Sequence, residues 1–354
     1  MILKYKENWE EAKKRFDAFW NKEYIDRCCL SIRLPKDNQE PLILPRDYGL
    51  EERRTDPEYL FLRAEYNAKN TIYLAEALPV VFPDFGVAAH AAYFGAKLNY
   101  MPGTVWFDPI LDEPDINKLV YDESSVNAHK RIISELTERS KGLLMVAGTD
   151  NCGIIDALVN LRGNAKLLID LVENPEFVEA ARDKITDAWK NTQKQFYDVS
   201  KQSNGGGSAH AWMQTWSRGI HGQLQCDFCV MISPEHFERF VLPELEECAS
   251  FYVNSTYHFD GQEQIRHLDM LLSVKNLDNI QWTPVAGQPR TSDFIEIFKK
   301  IQAAGKGLVL LPELDEVPVL LENLSHKGLM IGVSGVNNID EANGLIALAE
   351  KCAH

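Results

Sequence analysis

The run Tyr257-His258-Phe259-Asp260-Gly261 sets an imidazole and a carboxylate two residues apart. It follows Phe251-Tyr252-Val253-Asn254-Ser255-Thr256, whose β-branched and aromatic residues predict a strand. Beyond Gly261, the residues Ile265, Leu268, Leu271 and Leu272 share one face of a predicted helix. His258 and Asp260 therefore stand where a strand hands over to a helix. Strand alternation aims both side chains the same way. Such a pair can move a proton, hold a metal or bind a polar ligand. The alternative is structural: a histidine satisfied by local backbone, with Asp260 capping the next helix.

The elements that must position this pair are legible along the chain. Residues 8–22 place Trp9, Ala12, Phe16, Phe19 and Trp20 on one helical face, which predicts a helix packed on the body. Apolar strand runs follow near residues 30, 81, 145, 212, 255, 280, 309 and 331. The run near 212 covers Ser208–Trp216, and residues 59–77 read as helix. Residues 36–58 read as a loop on the rim, and residues 100–125 as an excursion. Buried runs alternating with amphipathic helices mean a parallel sheet. Eight such units predict an α/β chain: a (β/α)₈ TIM barrel over residues 26–354, with residues 1–25 as an N-terminal helical extension of the same domain. An open doubly wound sheet is the other possibility. It would carry a Gly-rich phosphate turn after its first strand, where this chain has Arg33-Leu34-Pro35-Lys36.

In a barrel the strand ends meet at one mouth. Arg33, Asp84, Asp150, Gln214, Trp216, His258, Asp260, Trp282 and Glu313 all lie at or just beyond such ends. They are the candidate site residues. His258, Asp260 and Asp84 are the candidates for catalysis and the other six for substrate binding. His258 is the one candidate metal ligand, with Asp260 and Glu313 as hard partners.

Composition narrows the function. The 354 residues carry a net charge of -15. That balance argues against nucleic acid, which needs a basic footprint, and against an anionic membrane surface. No apolar run approaches the ~20 residues of a membrane helix. Met1–Asn8 lacks the apolar core of a secretory signal. The seven cysteines are scattered and odd in number, which predicts reduced thiols in a cytoplasm. Cys226 and Cys229 form a lone C-x-x-C and read as two ordinary thiols.

Several segments together resemble the uroporphyrinogen decarboxylase superfamily. Asp26-Arg27 with Cys28–Arg33 is similar to its first strand, and Phe82-Pro83-Asp84-Phe85 with Phe94-Gly95-Ala96 to its aspartate segment. The most specific match is Ile232-Ser233-Pro234-Glu235 continuing to Phe240-Val241-Leu242-Pro243. His258-Phe259-Asp260-Gly261 resembles the family's His-x-Cys-Gly or His-x-Asp-Gly segment. The resemblance runs from about residue 26 to the end. It implies a (β/α)₈ barrel and either decarboxylation or methyl transfer with a corrinoid-carrying partner protein. Cobalamin-independent methionine synthase is a more distant relative.

The departures rank these activities. The decarboxylase gathers arginines around its first strand, where this chain has Arg33 and Lys36. The thiol methyltransferases bind zinc through a histidine and two cysteines. Here Asp260 replaces the first cysteine, and none stands near residue 335. The expectation is a divergent methyltransferase-type barrel acting on a small substrate with a corrinoid protein, with zinc or another divalent metal a minor option. A decarboxylase is the first alternative and a non-catalytic binding barrel the second. Trp212, Trp216 and Trp282 would supply aromatic contact to the substrate.

Overall fold

The computed structural model describes residues 3–354. It opens with α1 (Trp9–Trp20). The strands are β1 (Cys29–Pro35), β2 (Thr71–Ala75), β3 (Val80–Val81), β4 (Lys97–Met101), β5 (Thr104–Asp108), β6 (Met145–Val146) and β7 (Ser208–Ala209). They continue with β8 (Trp216–Ser217), β9 (His221–Leu224), β10 (Asn254–Asp260), β11 (Asn279–Thr283), β12 (Gly307–Leu310) and β13 (Leu329–Val333). A seven-stranded sheet runs β2-β1-β13-β12-β11-β10-β9, parallel throughout except for β2. β3 pairs with β6 in parallel, and a bridge from Ala147 to Ala209 extends that pair to β7. Helices flank this central sheet, giving a mixed α/β fold. Among the described residues no helix is long and apolar enough to cross a membrane.

Seven of the eight apolar runs form parallel strands, and the run near 212 does not. Ser208–Trp216 is a hairpin instead: β7 and β8 pair antiparallel, and Ala211-Trp212-Met213 form the turn between them. Gln214 holds this turn from a left-handed backbone (φ 55). Its amide donates to Ala211 O and accepts from Leu78 N at 3.0 Å. A second correction falls on residues 59–77. The helix is Pro57–Lys69, and the chain then turns back as β2. The β-branched and aromatic run Thr71-Ile72-Tyr73 there pairs with Pro35, Leu34 and Arg33 of β1. The excursion at 100–125 holds the turn and second strand of the β4–β5 hairpin and the start of the helix Glu123–Ser140.

Alternation gives the strands two unlike faces. Leu30, Ile32, Tyr257, Phe259, Ile280, Trp282, Leu308 and Ile331 face the outer helices and join one core with Val178, Ile185, Trp189 and Leu320. Each such side chain contributes about 1.5–3 kcal/mol on burial. The opposite face changes character along the strands. Near the strand starts Cys29, Met145, Ala209, Val309 and Met330 pack with Trp9, Phe16 and Phe19 of α1. Further along, that face carries Ser31 and Arg33 of β1, His258 and Asp260 of β10, and Gln281 and Thr283 of β11. The apolar end is thus sealed by α1, and the polar end is left for chemistry.

The strand ladder does not run from β2 to β3. Buried charge occupies the chain between them. Glu76, with no exposed surface, accepts from Arg27 at 2.7 and 3.2 Å and from Leu30 N at 2.8 Å. Arg15 of α1 approaches it to 3.5 Å and bonds Asp26 with both arms. This cluster ties the N-terminal helix to the sheet.

Candidate functional site

His258 and Gln281 stand opposite each other in the β10–β11 register, and Asp260 stands opposite Thr283. The His258 ring is half-buried, with Nδ1 2.5 Å from Gln281 Oε1 and 3.2 Å from Thr283 Oγ1. Trp212, at the tip of the β7–β8 turn, meets the ring edge-on at 5.3 Å. Trp212 also walls a cavity of about 340 Å³ with Ser31, Arg33, Gln214, Leu311 and Ser334. The Arg33 tip is open to this cavity and makes no ion pair among the described residues. Protein packed around its stem disfavours the charge and lowers its pKa.

Carboxylates gather at the ends of the neighbouring elements. The Cys152 sulfur lies 2.9 Å from Asp150 Oδ1 and 3.1 Å from Gln225 Oε1, and its single S–H serves one of the two. Gln225 Nε2 reaches Asp156 Oδ2 at 3.3 Å and Asp227 Oδ2 at 3.2 Å. Asp156 is also clamped by the N–H groups of Asp227 and Phe228, at 2.9 and 3.0 Å. Gln223 links Gln225 back to His210, whose Nε2 lies 3.1 Å from Gln223 Oε1. Asp156 and Asp227 border a second cavity of about 390 Å³, walled by Val87, Trp106, Phe107 and Met231.

This wall has unusual proton affinities. Burial raises the pKa of Asp150, with Asp84 adding repulsion, and burial raises Asp156 against its two N–H donors. Asp227 is open to the cleft but enclosed by protein on its other sides. Desolvation first, then Asp156, Asp260 and Asp150, push it up to about 8. Burial pulls His210 down to about 3, so it is neutral. Asp227 is therefore a carboxylic acid that keeps its proton near neutral pH.

A stability measurement checks this. The folded pKa of Asp227 lies above the value of about 4 for an unfolded aspartate. The native state then holds a proton that the unfolded state has lost between roughly pH 4 and pH 8. Stability falls as pH rises through that window. Asp227→Asn has no proton to lose. Its melting temperature relative to wild type should rise from pH 5 to about pH 8 and level off above that. Parallel pH profiles for the two proteins would show that the proton is not there.

The structure brings together part of the expected set. His258, Asp260, Arg33 and Asp150 lie at the polar ends of their elements. Asp84 also lies near Asp150, but its carboxylate is ion-paired with Arg54 and accepts from Gly86 N at 3.0 Å. Four expected residues have structural placements. Gln214 is buried at the cavity wall with its amide spent on Leu78 and Ala211. Trp216 packs on Trp9 at 5.0 Å and donates to Asn204 O at 2.9 Å, at the α1 end of the fold. Trp282 stacks on Phe259 at 5.2 Å and meets Phe294 and Phe298 in the outer core, because it follows the inward Gln281 by one residue. Glu313 is exposed and caps the turn Leu314–Glu316.

Glu313 is thus not drawn to His258 and Asp260. Among the described residues no group of three His, Cys, Asp or Glu side chains could hold a metal ion. Cys226 and Cys229 are buried free thiols. The sequence reasoning missed Gln281 and Thr283, and it missed Asp156, Asp227, Gln225 and Cys152. The spacing of two in Gln281-Trp282-Thr283 repeats that of His258-Phe259-Asp260. That repeat was the available signal for the first two.

No family model matches the chain, and no curated protein matches its sequence. Among solved structures it is similar to a methyltransferase from Methanosarcina mazei, with a TM-score of 0.57 and 12% identity over 96% of this chain and 98% of that one. The likeness extends over nearly the whole of both chains and is one of fold.

Proposed function

We propose that the chain is a methyltransferase-type barrel enzyme of the uroporphyrinogen decarboxylase superfamily. It moves a methyl group between a small substrate and a corrinoid-carrying partner protein. The observation that carries this reading is the polarity of the sheet's inner face. α1 closes the apolar end, while His258, Arg33 and the carboxyl of Asp227, with its raised proton affinity, stand towards the polar end. A reactive centre at the C-terminal ends of strands is what a closed (β/α)₈ barrel provides. The parallel β3–β6 pair and the Ala147–Ala209 bridge support that closure. The full-length likeness to a methyltransferase supports the reaction class.

Each residue has a role. Arg33, free of protein carboxylates, holds an oxyanion of the substrate, and Trp212 covers its apolar part. His258 takes the proton of an acceptor O–H, N–H or S–H group as that atom's lone pair attacks the methyl carbon. The bond to the methyl donor breaks and its electron pair stays with the donor. In the opposite direction the departing oxygen, nitrogen or sulfur receives that pair, and protonated His258 returns the proton to it. Asp260 adds negative charge beside Asp227. The exposed Trp106, Val87 and Met231 give the second cavity an apolar rim for the partner protein. The free cysteines fit a cytoplasmic setting.

The test is methyl transfer between purified chain, reduced cobalamin and a panel of small methylated oxygen, nitrogen and sulfur compounds, followed by cobalamin absorbance. One compound should be turned over, with activity lost in Arg33→Met. Stepwise release of carbon dioxide from uroporphyrinogen, with no methyl transfer, would replace this reading by the decarboxylase.

A further inference from the structure

A neutral histidine has one nitrogen that donates and one that accepts, and its neighbours choose which. The neighbours of His258 Nδ1 both come from β11. Gln281 Oε1 lies 2.5 Å away and Thr283 Oγ1 lies 3.2 Å away. An amide oxygen only accepts, so the nitrogen facing it carries the proton. Thr283 Oγ1 touches both ends of this amide: Gln281 Nε2 donates to it at 3.0 Å, and Gln281 Oε1 lies 3.2 Å from it. Gln281 has no exposed surface, so water does not compete for its oxygen. Register makes the arrangement: His258 pairs with Gln281, and Thr283 follows two residues later on the same face.

We propose that Gln281, steadied by Thr283, is a positioning residue that holds His258 as its Nδ1–H tautomer. The ring then offers the lone pair of Nε2 to the cleft. Trp212 fixes the ring by its edge contact. A free imidazole prefers the opposite tautomer, with the proton on Nε2. Without Gln281 the ring would thus present a donor where the reaction needs an acceptor. The inference rests on the reading of His258 as the base of the proposed reaction.

Long-range proton–nitrogen correlation NMR on the full chain labelled with ¹⁵N-histidine tests this without any substrate. The spectra are taken at a pH where the ring is neutral, and His258→Gln identifies its signal. Wild type should show a protonated Nδ1 and a bare Nε2. Gln281→Leu should lose that pattern and move towards the Nε2–H form. Gln281→Glu keeps an oxygen at the ring and should keep the pattern. A wild-type ring protonated on Nε2, or a pattern unmoved in Gln281→Leu, overturns the proposal. Should Gln281→Leu not fold, the wild-type and Gln281→Glu spectra still decide. The tautomer and methyl transfer are read separately. A correct tautomer without turnover sinks the proposed function alone, and turnover with the wrong tautomer sinks the inference alone.

Discussion

His258→Ala should lower methyl transfer by about 10²–10⁴-fold, the range a positioned acid or base contributes, and leave the melting temperature near that of wild type. The ring is half-buried at the cleft, so its removal opens no closed core cavity. What it does remove is the partner of Gln281 Oε1 and the edge of Trp212. Gln281 Oε1 keeps the Thr283 hydroxyl at 3.2 Å, so the lost hydrogen bond costs roughly 1 kcal/mol. The two readings of this histidine therefore separate on two axes. A reactive residue loses turnover and keeps its fold. A structural one loses stability and keeps whatever activity remains. A fall of more than about 3 kcal/mol in urea unfolding, with unchanged turnover, would return His258 to the structural category. Metal analysis of the same two proteins adds a third outcome. Stoichiometric metal in wild type that disappears in the variant would identify a metal site at His258.

The second large effect is on the fold. Glu76→Ala should destabilise by about 3–5 kcal/mol, because it leaves buried cations without their anion. Arg27 is 3% exposed and donates to both Glu76 oxygens. The variant would strand its guanidinium, orphan the Leu30 N–H and unbind Arg15 from the sheet side. Glu76→Gln keeps the shape and the acceptor to Leu30 and should lie between wild type and alanine. Equilibrium urea unfolding checks both variants. A cost below about 1 kcal/mol for alanine would mean that solvent or neighbouring carboxylates replace the lost charge. The site should also loosen, since α1 closes the end of the fold opposite His258 and is tethered through this cluster.

By itself the sequence determined the elements whose signal is local. The amphipathic helix α1 and the apolar runs of β1, β10, β11, β12 and β13 follow from side-chain period and turn chemistry. His258 and Asp260 at the end of β10 were legible for the same reason, since strand ends and glycine turns are local features. Two segments were misread where a longer-range partner decided. Thr71–Ala75 left the helix because β1 offered it an edge, and the run around Trp212 bent because Gln214 is bound by Leu78, far away in sequence. Tertiary structure alone decided which polar residues share a space. Trp282 and Gln281 are adjacent in the chain, yet one lies in the outer core and the other beside His258. Asp227 owes its high proton affinity to burial first and then to Asp156, Asp260 and Asp150, which come from separate elements. A one-residue change of register would exchange the faces of a strand. Coulomb energy depends on distances that only packing sets. The residue types were therefore written in the sequence, while their roles were assigned by which face each strand turned inward and by what stood opposite.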